Sequence, residues 1–210
     1  MLDWGPAGLR DTLATLETLG IKTAGAGRDL AEASKPAVLD IAGKGRVIVL
    51  AFGVPTSGVP RGWAATERAP GLNILPDFSE ESVALVRRRL EGLRQPGDVV
   101  VLSLHWGPNW GYDIPQPHRR FAHRLIDAAD VSVVHGHSSH HAKAIEVYHQ
   151  RLILYGCGDF LNDYEGIGGK QGFRGDLALM YFASVDPTRG DLVELYLAAD
   201  SSFPARPRGG

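Results

Sequence analysis

The chain has a single cysteine and no long apolar run. The first observation excludes disulfide-rich and multi-thiolate zinc proteins, and the second argues against a membrane-spanning helix. Cys157 is the one cysteine among 210 residues, which rules out an internal disulfide framework and a zinc site built from several thiolates. No apolar run reaches the roughly 18 to 20 residues that a membrane helix needs, and residues 1–10 lack the charged and apolar regions of a signal peptide. We therefore expect no membrane segment in this chain and a cytoplasmic location for it.

An excess of charge of one sign is also missing. The 22 Lys and Arg residues nearly balance the 24 Asp and Glu residues, and the formal net charge is -2. A chain without a basic field is not expected to bind nucleic acid or an anionic membrane nonspecifically. Because 44% of the residues are hydrophobic, the chain can bury a sizeable core. We predict one domain over residues 1–200 and a flexible tail over 201–210.

The apolar pattern predicts alternating helices and strands, which is typical of the α/β class. Two continuous apolar runs, 99–104 and 131–134, predict strands that are covered on both faces. Helices are predicted at residues 6–19, near Leu30, from a cap at Ser79 to Leu93, and at 117–129. Further strands are predicted at 21–24, 37–41, 47–52, 144–148, 151–155, 176–183 and 191–198, with an irregular loop over 53–77.

Histidine, by contrast, is concentrated in one part of the chain. All eight histidines lie between residues 105 and 149. Imidazole is the commonest metal-binding side chain and titrates near neutral pH, so the concentration indicates metal binding or proton transfer. His105 follows one predicted buried strand, and the segment 135–141 follows the next. A lone strand-end histidine is usually a hydrogen-bonding residue, but two such groups together favour a metal site.

Sites in α/β sheets form at the carboxyl ends of the strands. We therefore expect His105, His137 and His140 to converge on one divalent metal ion. Neutral imidazoles suit zinc, manganese, iron or nickel, and the sequence does not choose among them.

Four motifs between residues 103 and 160 resemble those of a known family. The motifs are Ser103-Leu104-His105-Trp106-Gly107, Gly136-His137-Ser138-Ser139-His140, Ile145-Glu146-Val147-Tyr148 and Tyr155-Gly156-Cys157-Gly158-Asp159-Phe160. In this order and spacing they resemble the poly-γ-glutamate capsule-biosynthesis (CapA-like) proteins of the calcineurin-like metallophosphatase superfamily. Residues 2–5 and 25–28 extend the resemblance over nearly the whole chain.

The resemblance implies a four-layer α/β/β/α sandwich and a metal site held by His105, His137 and His140. In the superfamily, two metals generate a hydroxide nucleophile and polarise a phosphoryl oxygen. The acidic motifs and the Asn-Asn-His segment that typically precede this region have no counterpart from Met1 onward. His140 lies one residue further from His137 than is common, and Asn109 stands where many relatives have Glu. We therefore expect an N-terminally truncated fold that lacks its first strands and has half of the usual metal ligands.

Other side chains near these motifs are candidates for supporting or substrate-binding roles. Asn109, Asp159, Glu146 and Trp106 are the main candidates, although Glu146 is as readily explained by pairing with a basic neighbour. Cys157 could act as a nucleophile beside a base, but a small buried side chain is the preferred interpretation. For two further sets of residues the sequence leaves two interpretations open. Asn162, Asp163 and Glu165 either bind a cation or form a solvated turn. Trp110, Tyr112 and Tyr155 either line a binding surface or pack in the core.

Two classes of function follow from these residues. The first is a metal-dependent hydrolase or transferase that acts on a phosphate ester or an amide-linked acidic polymer, with His105, His137 and His140 as its catalytic metal ligands. The second is a noncatalytic capsule or envelope assembly factor that works with capsule-assembly proteins. A third interpretation is an unstable fragment with an exposed sheet edge.

Overall fold

The computed structural model describes residues 2–160, 173 and 178–200. The helices are α1 (Gly5–Thr18), α2 (Leu30–Ala33), α3 (Glu80–Leu90) and α4 (Gln116–Ala129). The strands are β1 (Ala26–Gly27), β2 (Ala37–Ile41), β3 (Gly45–Gly53), β4 (Gly71–Leu72), β5 (Asp98–His105), β6 (Val133–His137), β7 (Ile145–Tyr148), β8 (Arg151–Leu154), β9 (Ala178–Val185) and β10 (Leu192–Asp200). Asn162, Asp163, Glu165 and the predicted tail 201–210 lie outside the described residues. Within the described part of the chain, no helix is long and apolar enough to cross a bilayer.

A six-stranded sheet forms the centre of the fold. Its strand order is β2-β3-β5-β6-β8-β7. The four inner strands are parallel, and the edge strands β2 and β7 each pair antiparallel with their neighbour. The two runs predicted as buried strands are β5 and β6, which lie side by side, so their carboxyl ends meet at one edge of the sheet.

The sheet contributes side chains to two hydrophobic cores, one on each of its faces, because successive side chains of a strand point to opposite faces. One face, represented by Leu50, Leu102 and Val134, packs against α3 and α4. The predicted cap of α3 is confirmed, since the Ser79 hydroxyl accepts a hydrogen bond from the Ser82 amide. Residues on the same face as Val133 pack against the β9–β10 hairpin. The predicted α/β class is therefore confirmed.

The described residues supply helical, sheet and hairpin layers in that order. Phe182 and Tyr196, on the outer side of the hairpin, are 50% and 62% exposed. No helix among the described residues covers them. Three of the four layers of the predicted sandwich are thus present in the part of the chain that the structure describes.

The strand predicted over residues 21–24 is wrong, because the end of α1 uses part of this segment. Gly20 has a positive φ of 68° and its amide donates to the Glu17 carbonyl, while the Ile21 amide donates to the Leu16 carbonyl. This pair of bonds is a Schellman cap. Ile21 is therefore committed to ending the helix, and pairing begins only at β1, which bonds to β4 within the loop region 53–77.

His118 lies in the core on α4 and gives the fold a pH dependence. Its ring packs against Phe78 and Trp106, its Nε2 has no hydrogen-bond partner, and burial lowers its pKa from 6.5 to about 4. As pH falls from 6.5 towards 4, the unfolded state gains a proton that the folded state does not, so stability is lost.

We expect His118→Phe to remove this loss. Between pH 7 and pH 5, urea unfolding of the wild type should lose about 2 kcal/mol more stability than the variant. Equal losses in the two proteins would contradict the burial of a neutral His118.

Candidate functional site

The last residues of β5 and β6 form a histidine pair. His105 and His137 are register partners on these parallel strands, and their Nδ1 atoms lie 3.1 Å apart. Both side chains are half-buried and lie on the sheet face that the hairpin partly covers. The sheet therefore places two of the three predicted ligands in direct contact.

Two more polar side chains lie next to this pair on the same face of the sheet. Ser103 and His135 are also register partners, two residues earlier on β5 and β6. The Ser103 hydroxyl lies 3.0 Å from His137 Nε2 and 3.1 Å from His135 Nδ1. The sequence-based prediction missed both roles, although the spacing i, i+2 puts Ser103 on the same face of its strand as His105 and His135 on the same face as His137.

Burial keeps these imidazoles neutral. It lowers the pKa of His105 and His135, and together with the neighbouring histidines it lowers the pKa of His137 to about 3. A neutral imidazole has one free lone pair, which is what a metal ligand requires.

The pair also has a spacing that suits a metal. Two ligands about 2.05 Å from one tetrahedral ion would lie about 3.3 Å apart, close to the 3.1 Å between the Nδ1 atoms of His105 and His137. The pair therefore fits two corners of a metal site.

His140, the third predicted ligand, lies in a different cluster. Its Nδ1 is 2.9 Å from Asp159 Oδ2, and its Nε2 is 3.4 Å from Asn109 Nδ2. Among the described residues, no three His, Cys, Asp or Glu side chains come together in a group that could hold a metal ion. The three-histidine site therefore stays a prediction, and so do the supporting roles of Asn109 and Asp159.

The backbone at Ser138 accounts for this separation. Ser138 has a φ of 125°, which is uncommon for a residue other than glycine, and its hydroxyl donates to the Gly107 carbonyl. The chain turns out of the sheet at this point. His140 therefore continues into the loop, where its amide donates to the Asn109 carbonyl.

Glu146 lies on the opposite, helix-facing side of the sheet. Its carboxylate accepts hydrogen bonds from Arg119, from the Tyr155 hydroxyl at 2.8 Å, and from His123 at 2.7 Å. Although burial raises the pKa of Glu146, the bonds from Tyr155 and His123 and the Arg119 charge lower it below its usual value. Glu146 therefore joins β7 to α4 and β8, as pairing with a basic neighbour predicts.

Trp106 is a buried support for the histidine pair. It is 3% exposed, and its Nε1 donates to the Tyr155 carbonyl. Its amide donates to the His137 carbonyl. Trp106 therefore fixes the backbone immediately after both histidines from the far side of the sheet.

Of the remaining candidate residues, Trp110 and Tyr112 lie in a loop and Cys157 packs beside the sheet. Trp110 and Tyr112 pack around the buried ring of His141, with centroid distances of 6.0 and 4.7 Å. Burial raises the pKa of the Cys157 thiol to about 12. A thiol that stays protonated at neutral pH is a poor nucleophile, which supports a packing role for Cys157.

Two cavities meet at the histidine pair. One of about 1130 Å³ lies between the six-stranded sheet and the hairpin, and His135 and His137 line it. The other, of about 490 Å³, is bounded by α1 and the end of β3, and His105 and His137 line it. A ligand can therefore reach His137 from two sides.

The six-stranded mixed sheet flanked by helices is consistent with a metallophosphatase-like α/β fold. Residues 1–164 match the family model described as bacterial capsule synthesis protein PGA_cap. The chain belongs to this family, as the sequence motifs predicted.

Three relatives illustrate the similarity. A probable polyglutamine synthesis accessory protein of Mycobacterium tuberculosis is 45% identical over 94% of this chain and 52% of its own length. The PGA biosynthesis protein CapA of Bacillus subtilis is 31% identical over 77% of this chain and 40% of its own length. The capsule biosynthesis protein CapA of Bacillus anthracis is 27% identical over 78% of this chain and 38% of its own length. The chain thus spans about half or less of the length of these relatives.

Proposed function

We propose that this protein is a metal-dependent hydrolase of the capsule-biosynthesis type, with its chemistry centred on His105 and His137. The observation that carries this proposal is the 3.1 Å approach of their Nδ1 atoms at the ends of two central strands. Neutral imidazoles with converging nitrogens are unusual unless they share a proton or a cation.

The residues around the pair have defined tasks in such a reaction. A divalent cation held by His105 and His137 would supply Lewis-acid polarisation of a phosphoryl or acyl oxygen. The Ser103 hydroxyl lies within hydrogen-bond distance of His137 Nε2, and the Trp106 amide donates to the His137 carbonyl. The adjoining cavities give a substrate a site partly shielded from water, where electrostatic interactions are stronger.

The resemblance to poly-γ-glutamate capsule-biosynthesis proteins supports an acidic polymer as the substrate, and the superfamily resemblance supports a phosphate ester. Lys22 borders the smaller cavity, and Lys44 borders the far end of the larger one. These cations are suited to anionic groups. Capsule-assembly partners and a cytoplasmic location belong to the same proposal.

The test is the metal content and activity of His137→Ala beside Arg87→Ala. Arg87 is 59% exposed in an ion pair on α3, which packs against the face of the sheet opposite the histidine pair. We expect His137→Ala to lose at least tenfold in bound zinc or manganese and in hydrolysis of bis(p-nitrophenyl) phosphate or poly-γ-glutamate. Arg87→Ala should keep both. Full metal occupancy in folded His137→Ala would overturn the ligand assignment.

A noncatalytic assembly factor is the second candidate. It is favoured because the described residues bring only two candidate donors together at the strand ends, without a third. Such a factor should bind poly-γ-glutamate in calorimetry without shortening it, and binding should survive His137→Ala. Polymer cleavage that is lost in this variant would exclude it.

A further inference from the structure

We propose that Ser103 and His135 are positioning residues that fix the tautomer of His137, so that its unprotonated Nδ1 faces His105. The consequence for metal binding rests on the proposed function. The positioning itself rests on the hydrogen bonds at the ends of β5 and β6.

The hydrogen-bonding capacity of Ser103 allows two arrangements. Its hydroxyl has one proton and lies within 3.1 Å of both His135 Nδ1 and His137 Nε2. In the first, Ser103 donates to His135 Nδ1 and accepts from a protonated His137 Nε2. In the second, it donates to His137 Nε2 and accepts from His135 Nδ1.

The two arrangements have opposite effects on the histidine pair. In the first, His137 Nδ1 presents its lone pair to His105 and accepts a hydrogen bond from His105 Nδ1. A cation that takes the place of this one proton can be shared by the two Nδ1 atoms. In the second, His137 Nδ1 carries a proton that points at His105 Nδ1, 3.1 Å away, and blocks any cation. The direction of the Ser103 O–H bond therefore determines which nitrogen of His137 is free to bind a cation.

The intrinsic preference of imidazole favours the first arrangement. A neutral histidine side chain carries its proton more readily on Nε2 than on Nδ1. The first arrangement gives His135 and His137 this preferred form, whereas the second requires the less favoured form in both rings. Metal-binding histidines commonly donate their other N–H to a neighbouring acceptor, and Ser103 supplies that acceptor for His137.

His135 has its own part in this arrangement. Without an acceptor at His135 Nδ1, the Ser103 hydroxyl could rotate and donate to His137 Nε2 instead. His135 lies on the central strand β6, where register with β5 holds it opposite Ser103. Its effect on His137 is therefore indirect, through one hydroxyl proton.

The test is the imidazole nitrogen signature of His137 in metal-free protein at pH 7.5, observed by long-range proton–nitrogen correlation NMR. In the wild type, we expect protonated Nε2 and unprotonated Nδ1. In Ser103→Ala and His135→Leu, the two nitrogens should report a mixture of tautomers. Ser103→Thr keeps the hydroxyl and should restore the wild-type signature, and Ser184→Ala on the exposed side of β9 should not change it.

Zinc titration of the same variants provides the second measurement. We expect Ser103→Ala and His135→Leu to weaken the zinc Kd about 10- to 100-fold, with recovery in Ser103→Thr. An Nδ1 proton on wild-type His137, or unchanged nitrogen shifts in both folded variants, would overturn the proposal. Altered tautomers in a protein that never binds zinc would support the positioning role and overturn the metal-dependent function.

Discussion

Gly136→Ala is expected to destabilise the fold by about 3 kcal/mol or more. A Cβ at Gly136 would lie 2.5 Å from Trp106 Nε1 and 2.6 Å from the carbonyl oxygens of Leu154 and Tyr155. It would thus separate the Trp106 indole from the Tyr155 carbonyl that accepts its hydrogen bond. None of these three neighbours can move aside easily, because the Trp106 indole is buried in the core and the two carbonyls belong to the backbone of β8 and the residue after it.

Urea denaturation with Gly62→Ala as the control measures this effect. Gly62 is exposed, and a Cβ there would meet no atom within 4 Å. The control should therefore change stability by less than about 0.5 kcal/mol. Equal stability in the two variants would contradict the prediction. It would mean that β6 and β8 can separate enough to admit the added methyl group.

Arg46→Met is the second substitution with a large expected effect, about 3 kcal/mol. The Arg46 guanidinium makes two hydrogen bonds to Asp98, 2.9 Å from Oδ1 and 2.6 Å from Oδ2. The Asp98 side chain is 3% exposed, whereas that of Arg46 is 22% exposed. Removing the cation leaves a buried carboxylate that water cannot reach, which accounts for the size of the loss.

The pH dependence identifies this cause. The hydrogen bond from Arg46 lowers the pKa of Asp98, so the wild-type pair stabilises the fold above the unfolded pKa and loses this contribution in acid. Arg46→Met removes the largest cause that lowers this pKa, so we expect the pKa to rise although the Gln95 amide still donates to the carboxylate. Protonation would then relieve part of the penalty. The stability difference measured by denaturation should therefore be smaller at pH 4 than at pH 7.

Two further variants complete the Arg46 experiment. Arg88→Met removes an exposed ion pair with Glu81 and should cost less than about 0.5 kcal/mol. The double change Arg46→Met and Asp98→Leu should recover most of the loss, because no charge stays buried. A loss in the double variant as large as that in Arg46→Met would refute the role of the unpaired carboxylate.

The sequence predicted the histidine pair because two apolar runs are strong strand signals. His105 comes immediately after its predicted strand and His137 three residues after the end of its own, so their position at the strand ends could be predicted without knowing the course of the loops. The partnership of Ser103 with His135 depends on the register between β5 and β6. Register is a tertiary property, set by which residues of two strands face each other, and no local pattern in either strand shows it.

The position of His140 and the course of residues 21–24 illustrate what local patterns miss. A positive φ at Ser138 redirects the chain after β6, although serine carries no strong signal for that conformation. The apolar Ile21 resembles the start of a strand, yet its amide ends α1. In both cases a few backbone torsions and hydrogen bonds outweigh the hydrophobic pattern, which describes average burial and not chain direction.

The ends of β5 and β6 are held on both sides by neighbouring strands, whereas the side chains around them, such as Asn109, Trp110 and His140, belong to loops. Under the proposed function, the strands fix the position of the reactive pair, and the loops that follow them shape the surface that a ligand meets. Mutations that lengthen or rewrite residues 106–115 or 138–144 can change which molecule is admitted while the pair of imidazoles keeps its spacing.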